Sequence, residues 1–464
     1  MAAEAHKIVR SPSTGIDVVV VGAGIGGLFS AVELYRQGHT VRVLESKPEL
    51  TTIGDFIGIG QSATRQFSKW PGMQAAFTSE RYEAMMSFLK YDGEVLIKPS
   101  LTLERVPHAI HRAKLLRLLY DYATALGISV TLGQSVSEYF EKPDGLGAGV
   151  VTTKGERFEA DLVVAADGVG TQSWKLIQGS QTQARSSGFA IYRTAFPTKV
   201  AHQDPLVAEQ FPVLEGVDDC RMWLAPKGHG VTLVSKDITT WLLTHKDSST
   251  AAESWSKRVS APDVLREVAA SGIKWDPGFM RLIAQSPENS VVDWKLLWRD
   301  PVSNWVSEQG RVVQLGDAAH VFLPTSTNGG TQACEDGISL AACLALAGKN
   351  NIALATRVHN ALRADRVSCC QRGGFRNREK WHHTDFEKAR EHPEDIGEMI
   401  GRWVQEHEAE QYVFDNWSKC VNAVVTGKKF ENTNIPPGYR CRPWTVDELA
   451  AQGPGIAQDE GDWS

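Results

Sequence analysis

The polar and apolar pattern opens on a run, Ile16 to Val21, that is apolar at every position but Asp17. Such a run, without alternation, predicts a strand covered on both faces. Glycines follow, and then Leu28 to Gln37 shows helical spacing with small residues on one face and Gly38 as its stop. Thr40 to Leu44 is a second strand, ending at Glu45, so residues 16–47 read as one β-α-β unit. Residues 54–70 hold glycines and then a helix around Ala63 to Trp70. Tyr91 to Leu103 alternates as a hairpin, with Asp92-Gly93 as the turn. His111 to Leu126 is helical, with Leu115, Leu118, Leu119 and Tyr122 in register. Ser129 to Leu132, Gly149 to Thr153 and Leu162 to Ala166 are strands.

From residue 186 to 245 the pattern stays strand-like, through Gly188–Phe196, Arg221–Ala225, Gly230–Ser235 and Thr239–His245. That predicts a mainly antiparallel sheet as a separate layer. Residues 250–285 return to helix, Arg311 to Leu315 is a strand that rejoins the first unit, and Glu335 to Gly348 is an Ala- and Leu-rich helix. Two interleaved domains follow. Residues 16–90, 106–180 and 290–370 form a discontinuous α/β domain, and residues 91–105 and 181–289 form the sheet domain. Residues 371–464 are a C-terminal helical extension with a loose tail from Gln452, and residues 1–15 are a disordered start.

Composition narrows the class only modestly. A chain of 464 residues with 42% hydrophobic and 22% charged positions has ample material for a globular core. Its net charge of −6 disfavours nucleic acid as the main partner. No run of 18 apolar residues occurs, and the first fifteen residues lack the apolar stretch of a secretory leader, so the expected location is cytoplasmic with no membrane span. The seven cysteines include no CxxC pair and read as reduced thiols. His382, His383 and His392 match no standard ligand spacing and read as part of a solvated helix, so no metal is expected.

The chemistry lies in two distant segments. Gly22, Gly24 and Gly27 fit the three roles of GxGxxG, namely a tight turn, close approach of a pyrophosphate, and close helix–strand packing. The helix N-terminus offers free N–H groups to phosphates. Glu45 stands 23 positions after Gly22, where a carboxylate accepts hydrogen bonds from a ribose diol. The second segment is Val312-Val-Gln-Leu-Gly316-Asp317, a strand ending in a glycine and an acid suited to a sugar-alcohol hydroxyl. Asn328-Gly329-Gly330 then opens a helix near Gln332, whose N-terminus suits the pyrimidine edge of a reduced flavin. Together the two segments point to FAD, a long cofactor held at both ends.

On these residues the chain resembles the class A, single-component FAD monooxygenases related to salicylate and para-hydroxybenzoate hydroxylases. The resemblance rests on GxGxxG, on Ala166-Asp167-Gly168, and on Leu315-Gly316-Asp317-Ala-Ala-His320-Val-Phe-Leu-Pro324. It extends to Gly54-Asp55-Phe-Ile-Gly58-Ile-Gly60-Gln-Ser-Ala63-Thr64-Arg65, His111-Arg112, Gln332-Ala-Cys-Glu335-Asp336-Gly337 and Arg363-Ala-Asp-Arg366. It implies a Rossmann-like FAD-binding domain interleaved with a mainly antiparallel substrate sheet. It also implies site roles. Glu45 would hold the adenosine ribose, and Gly58 would lie against the cofactor. Arg112 would contact the pyrophosphate and ribityl region. Asp167 would support the cofactor and the nicotinamide approach. Asp317 would bind the ribityl chain, and Gly329 and Gly330 would stand at the flavin ring. Three positions depart from the pattern: Thr171 and Trp174 replace the usual Ser and Arg after Asp167-Gly168, and Thr331 replaces a frequent Asn.

The reaction implied is that of the family. NAD(P)H reduces non-covalently bound FAD, O2 is activated at flavin C4a, and one oxygen atom passes to an electron-rich ring or alkene. Arg193 lies in an otherwise apolar strand, either paired with an acid at a sheet edge or aimed at a developing anion. Asp55 is either a cap or a partner for Arg193. The combination resembles fungal FAD monooxygenases of prenylated indole alkaloid pathways, which epoxidise the indole 2,3-bond, some of them with semipinacol rearrangement to a spiro-oxindole. That makes Arg193 and Asp55 the candidate catalytic residues. The alternatives are a phenol or polyketide hydroxylase of the same family, or a non-catalytic FAD-binding redox protein. Trp223, Trp241, Trp294 and Trp298 fit either a large apolar pocket or ordinary core packing. A flavin halogenase is disfavoured, because Val292 to Trp298 does not supply its WxWxIP stretch.

Overall fold

In the computed structural model, which describes residues 7–50, 54–100, 106–247, 257–453 and 460–464, the opening apolar run becomes the central strand of a parallel sheet. The order is Val312–Gln314, Leu162–Ala165, Asp17–Val21, Thr40–Leu44 and Ser129–Thr131, and every pairing is parallel. Val18 to Val21 and Leu162 to Ala165 are buried throughout, which explains why the pattern showed no alternation. A small antiparallel sheet of Val136–Glu141, Ala148–Thr152 and Arg157–Ala160 covers part of one face. Helices Ile25–Arg36, Arg112–Ala125 and Gly329–Ala347 cover the other.

The second layer is an eight-stranded sheet. Its order is Arg258–Val259, Val291–Trp298, Arg185–Pro197, Ile238–Lys246, Gly228–Val234, Asp218–Ala225, Ala84–Lys90 and Val95–Ser100. Only the pairing of Asp218–Ala225 with Ala84–Lys90 is parallel. Two expected boundaries therefore shift. Residues 84–90 and 291–298 belong to this sheet and not to the α/β domain, because their backbones pair with Asp218–Ala225 and Arg185–Pro197. The turn at Asp92-Gly93 holds, with Ala84–Lys90 as the first arm; Leu103 lies outside the described residues.

Other expectations are corrected by packing. The helix expected over Ala63–Trp70 is a short α-turn, Gln61–Thr64, followed by a 3-10 turn, Arg65–Lys69. The helix expected from Gln332 starts at Gly329. No boundary falls at residue 371, since one helix runs unbroken from Ile352 to His382. Gly374 is tolerated inside it because a Cβ there would stand 2.9 Å from Ser326 Cβ. His382 is not solvated. It is buried and shares a 3.0 Å hydrogen bond with buried His229 of the sheet. Of the start read as disordered, residues 1–6 lie outside the described residues, while Arg10 donates to the carbonyls of Tyr35 and His39 at 3.0 and 2.9 Å. Of the tail, residues 454–459 lie outside the described residues. Trp223 and Trp241 pack in the core beneath the sheet, and Trp298 packs against Phe375 and Trp444. All seven cysteines are free thiols.

No single helix among the described residues is long and apolar enough to cross a membrane; Gly329–Ala347 passes that test only with its successor, across a bend of 113°. The α/β core is fastened by an aromatic cluster. Trp70 contacts Phe29 and Phe67 and stacks on Tyr122, with ring centroids 4.8, 5.4 and 5.5 Å away. Its indole N–H donates to the buried Glu33 carboxylate at 2.6 Å. Trp70→Ala removes both packing and a donor, and is expected to cost about 3–5 kcal/mol in denaturant unfolding.

Candidate functional site

The glycine turn shows three different uses of a missing side chain. Gly22 has φ +103°, and a Cβ there would meet the Ala166 carbonyl at 2.3 Å. A Cβ on Gly27 would sit 2.0 Å from the Gly22 carbonyl oxygen, so this glycine lets helix and strand touch. Gly24 is different, because a Cβ there would meet nothing within 4 Å. Gly24 is also the cap position of helix Ile25–Arg36, and no side chain caps it. The result is an open space in front of a helix N-terminus, which suits a pyrophosphate.

Beside it, Glu45 accepts from the Ala23 and Lys47 N–H groups, both at 2.8 Å. These bonds aim the carboxylate and leave lone pairs for a diol. Asp167 stands at the same turn, since its Cα would lie 2.9 Å from a Gly22 Cβ. The Tyr139 hydroxyl donates to it at 2.7 Å. Burial raises the Asp167 carboxyl, Thr171 and Tyr139 oppose that, and Glu45 adds to it. Asp167 is thus placed at the glycine-turn end. Tyr139 was not anticipated, and nothing in its short strand distinguishes it from a packing residue.

The remaining candidates converge between the two sheets. The Arg193 guanidinium grips the Asp55 carboxylate with two bonds, one of them 2.6 Å from Nε to Oδ2. Asp55 is 2% and Arg193 13% exposed, so the pair is nearly dry. The Arg112 N–H donates to the Asp55 carbonyl at 2.9 Å. Burial and the Arg193 charge lower the Arg112 guanidinium from its usual value, while Asp55 and Asp317 pull it back up. Four residues from positions 55, 112, 193 and 317 therefore share one electrostatic neighbourhood. A cavity of about 410 Å³ opens onto the pair, lined also by Thr194, Arg258, Ser290 and Val292.

The glycines expected at the ring are closely packed. A Cβ on Gly330 would meet Ile57 and Ile59 at 2.9 and 3.0 Å, and one on Gly329 would meet Phe322 at 3.2 Å. A Cβ on Gly58 would meet Pro107 at 2.9 Å. These glycines let strand Phe56–Ile59 and its neighbours reach the N-terminus of helix Gly329–Ala347, where Gly60 N–H donates to Thr331 Oγ1 at 2.9 Å.

That helix is held by buried charges. Arg363 bonds both Glu335, at 2.6 Å, and Asp336, at 2.9 Å. Arg366 bonds both Glu335 oxygens, at 2.8 and 3.0 Å. Asp336 also takes His320 Nε2 at 2.6 Å and the Gly316 N–H at 3.1 Å, so the turn carrying Asp317 hangs from this cluster. Burial alone would raise both acids. The guanidiniums of Arg366 and Arg363 outweigh it at Glu335, and His320 with Arg363 outweighs it at Asp336, holding both carboxyls well below the usual range.

Comparison with known proteins agrees with this geometry. Residues 15–272 match the FAD binding domain family. The chain is 38% identical to the FAD-dependent monooxygenase fsr3 of Gibberella fujikuroi, over 99% of this chain and 91% of that protein. The chain belongs to the FAD-dependent monooxygenases. The crystal structure of FqzB superimposes on this monooxygenase with a TM-score of 0.83 at 30% identity, covering 92% of this chain and 98% of that one. CtdE, solved in complex with FAD and substrate 4, gives 0.81 at 28% identity, covering 88% and 100%. The residues present fit FAD. The open space at Gly24 would admit the pyrophosphate, the Glu45 carboxylate keeps lone pairs that would take a ribose diol, and Arg112 would supply a half-buried cation near Asp317.

Two predictions separate cofactor binding from folding. Gly24→Val is expected to fold normally but to purify without the visible flavin absorbance, whereas Gly27→Val loses about 3 kcal/mol or more of stability through overpacking. Unfolded carboxylates titrate near about 4, and the folded Glu335 and Asp336 titrate lower, so their stabilisation is full above the unfolded value and is lost as pH falls through the folded one. Arg366→Met strips Glu335 of a partner. It is expected to cost about 3–5 kcal/mol and to move acid unfolding, followed by circular dichroism, to higher pH.

Proposed function

We propose that this monooxygenase oxidises the indole 2,3-bond of a prenylated indole alkaloid, as part of fungal secondary metabolism, and guides a semipinacol shift to a spiro-oxindole. The observation that carries the reading is the dry Asp55–Arg193 pair facing a cavity of about 410 Å³. It is the Asp-plus-Arg combination by which the sequence resembles fungal indole alkaloid monooxygenases. Bound FAD, reduced by NAD(P)H, supplies the activation of O2 and the transfer of one oxygen atom.

The protein's own part is charge placement. In the cavity Arg193 donates hydrogen bonds to the epoxide oxygen of the substrate. As the C3–O bond breaks, the fused aromatic ring supports the benzylic cation at C3, and the carbon substituent of C2 migrates to C3. The oxygen that Arg193 held as a developing alkoxide ends as the carbonyl. Asp55 holds the guanidinium plane and balances its charge, so Arg193 is oriented before substrate arrives.

The test is incubation of the holoenzyme with NADH or NADPH, O2 and a panel of prenylated indoles and phenols. A mass gain of one oxygen on an indole is expected; gain on phenols alone replaces the reading with phenol or polyketide hydroxylation. Arg193→Ala is expected to keep FAD and nicotinamide oxidation while rearranged product falls about 10²–10³-fold. Full-rate product formation by that variant removes Arg193 from the mechanism.

A further inference from the structure

A thiol pair outside the active site has the placement of a reversible crosslink. Cys369 lies in the middle of helix Ile352–His382, and Cys441 lies in the C-terminal segment that runs back along that helix. The segment is laid down by side-chain bonds. Asn432 donates to the Ala361 carbonyl at 2.8 Å, the Asn434 carbonyl accepts from Arg366 at 2.9 Å, and Trp444 donates to Ser368 at 2.9 Å. Between these anchors the Cys441 thiol contacts the Asp365 carbonyl at 3.8 Å, one helical turn before Cys369. Cys369 follows one turn later on the same helix, with the Cys441 thiol as its electrostatic neighbour. Cys369 is buried and Cys441 half-buried, so one thiol is reachable from solvent and the other waits behind it. Lys429 pairs with Asp365 at 3.2 Å and adds a cation to the same neighbourhood.

We propose that Cys369 and Cys441 form a disulfide when the protein meets hydrogen peroxide, fastening the C-terminal segment over the helix that carries Arg363 and Arg366. The Cys441 thiolate attacks one peroxide oxygen, the O–O bond breaks, and water leaves with a proton, giving the sulfenic acid. The Cys369 sulfur then attacks the Cys441 sulfur, its proton goes to the departing hydroxyl, and a second water leaves. Two thiols are oxidised by two electrons and one peroxide is reduced to two waters. Burial pushes the Cys369 thiol well above its usual value, which keeps it protonated and leaves Cys441 as the first to react.

The test is exposure of the holoenzyme to equimolar hydrogen peroxide, followed by maleimide labelling and non-reducing peptide mapping. Expected are the joint loss of Cys369 and Cys441 labelling, a linked peptide lighter by two hydrogen atoms, recovery with dithiothreitol, and a higher melting temperature in the oxidised form. Cys441→Ser abolishes the linked peptide without touching any residue of the flavin site. A linkage of Cys441 to Cys370, or stepwise oxidation of Cys441 to sulfinic acid while Cys369 still labels after unfolding, overturns the proposal. The mapping on the unmutated protein decides between these outcomes even if the variant folds poorly.

Discussion

The buried ion cluster of Glu335, Asp336, Arg363, Arg366 and His320 is the constraint on which the site depends. Each of the four formally charged side chains other than His320 is at most 2% exposed, so each requires its partners in place. The cluster joins helix Gly329–Ala347 to helix Ile352–His382 and reaches the Gly316 N–H, Ser62, and the carbonyls of Trp403 and Asn434. Segments from four parts of the chain are thereby fixed around one helix. The position of Asp317 and the closeness of strand Phe56–Ile59 to the helix N-terminus follow from that arrangement.

A second joint links the two sheets. Asp55 uses its backbone carbonyl to hold Arg112, at the start of a helix on the parallel sheet, and its side chain to hold Arg193, on the antiparallel sheet. One residue therefore sets the distance between the cofactor-holding part and the layer that faces it. The guanidiniums of Arg112 and Arg193 repel each other, and Asp55 stands between them as the neutralising charge. Asp55 accordingly belongs to both the binding geometry and the proposed chemistry.

The C-terminal region completes the molecule by covering the sheet face that the α/β part leaves open. Trp381, Ala389 and Ile396 pack on Met86, Phe88, Met222 and Leu233. The His229–His382 pair sits at this seam, and burial lowers the two imidazoles to about 4 and about 2, so both are neutral and share one hydrogen bond at physiological pH. A neutral pair satisfies polar atoms there without bringing charge into an apolar contact.

The local order of this chain was legible from sequence because its causes are local. The all-apolar run at Val18–Val21, the unequal demands on Gly22, Gly24 and Gly27, and the turn at Asp92-Gly93 depend on backbone sterics and periodicity over a few residues. The pairing of distant motifs identified FAD before any contact was known, because the cofactor needs both ends held. Only the tertiary structure decided where strands Ala84–Lys90 and Val291–Trp298 pair, since a strand's pattern shows which faces are buried but not its neighbour. Only it showed that Tyr139 supports Asp167, that Gly330 lies against Ile57 and Ile59, and that His382 is buried against His229. Each of these depends on residues brought together from far along the chain, and side-chain identity alone does not encode that proximity.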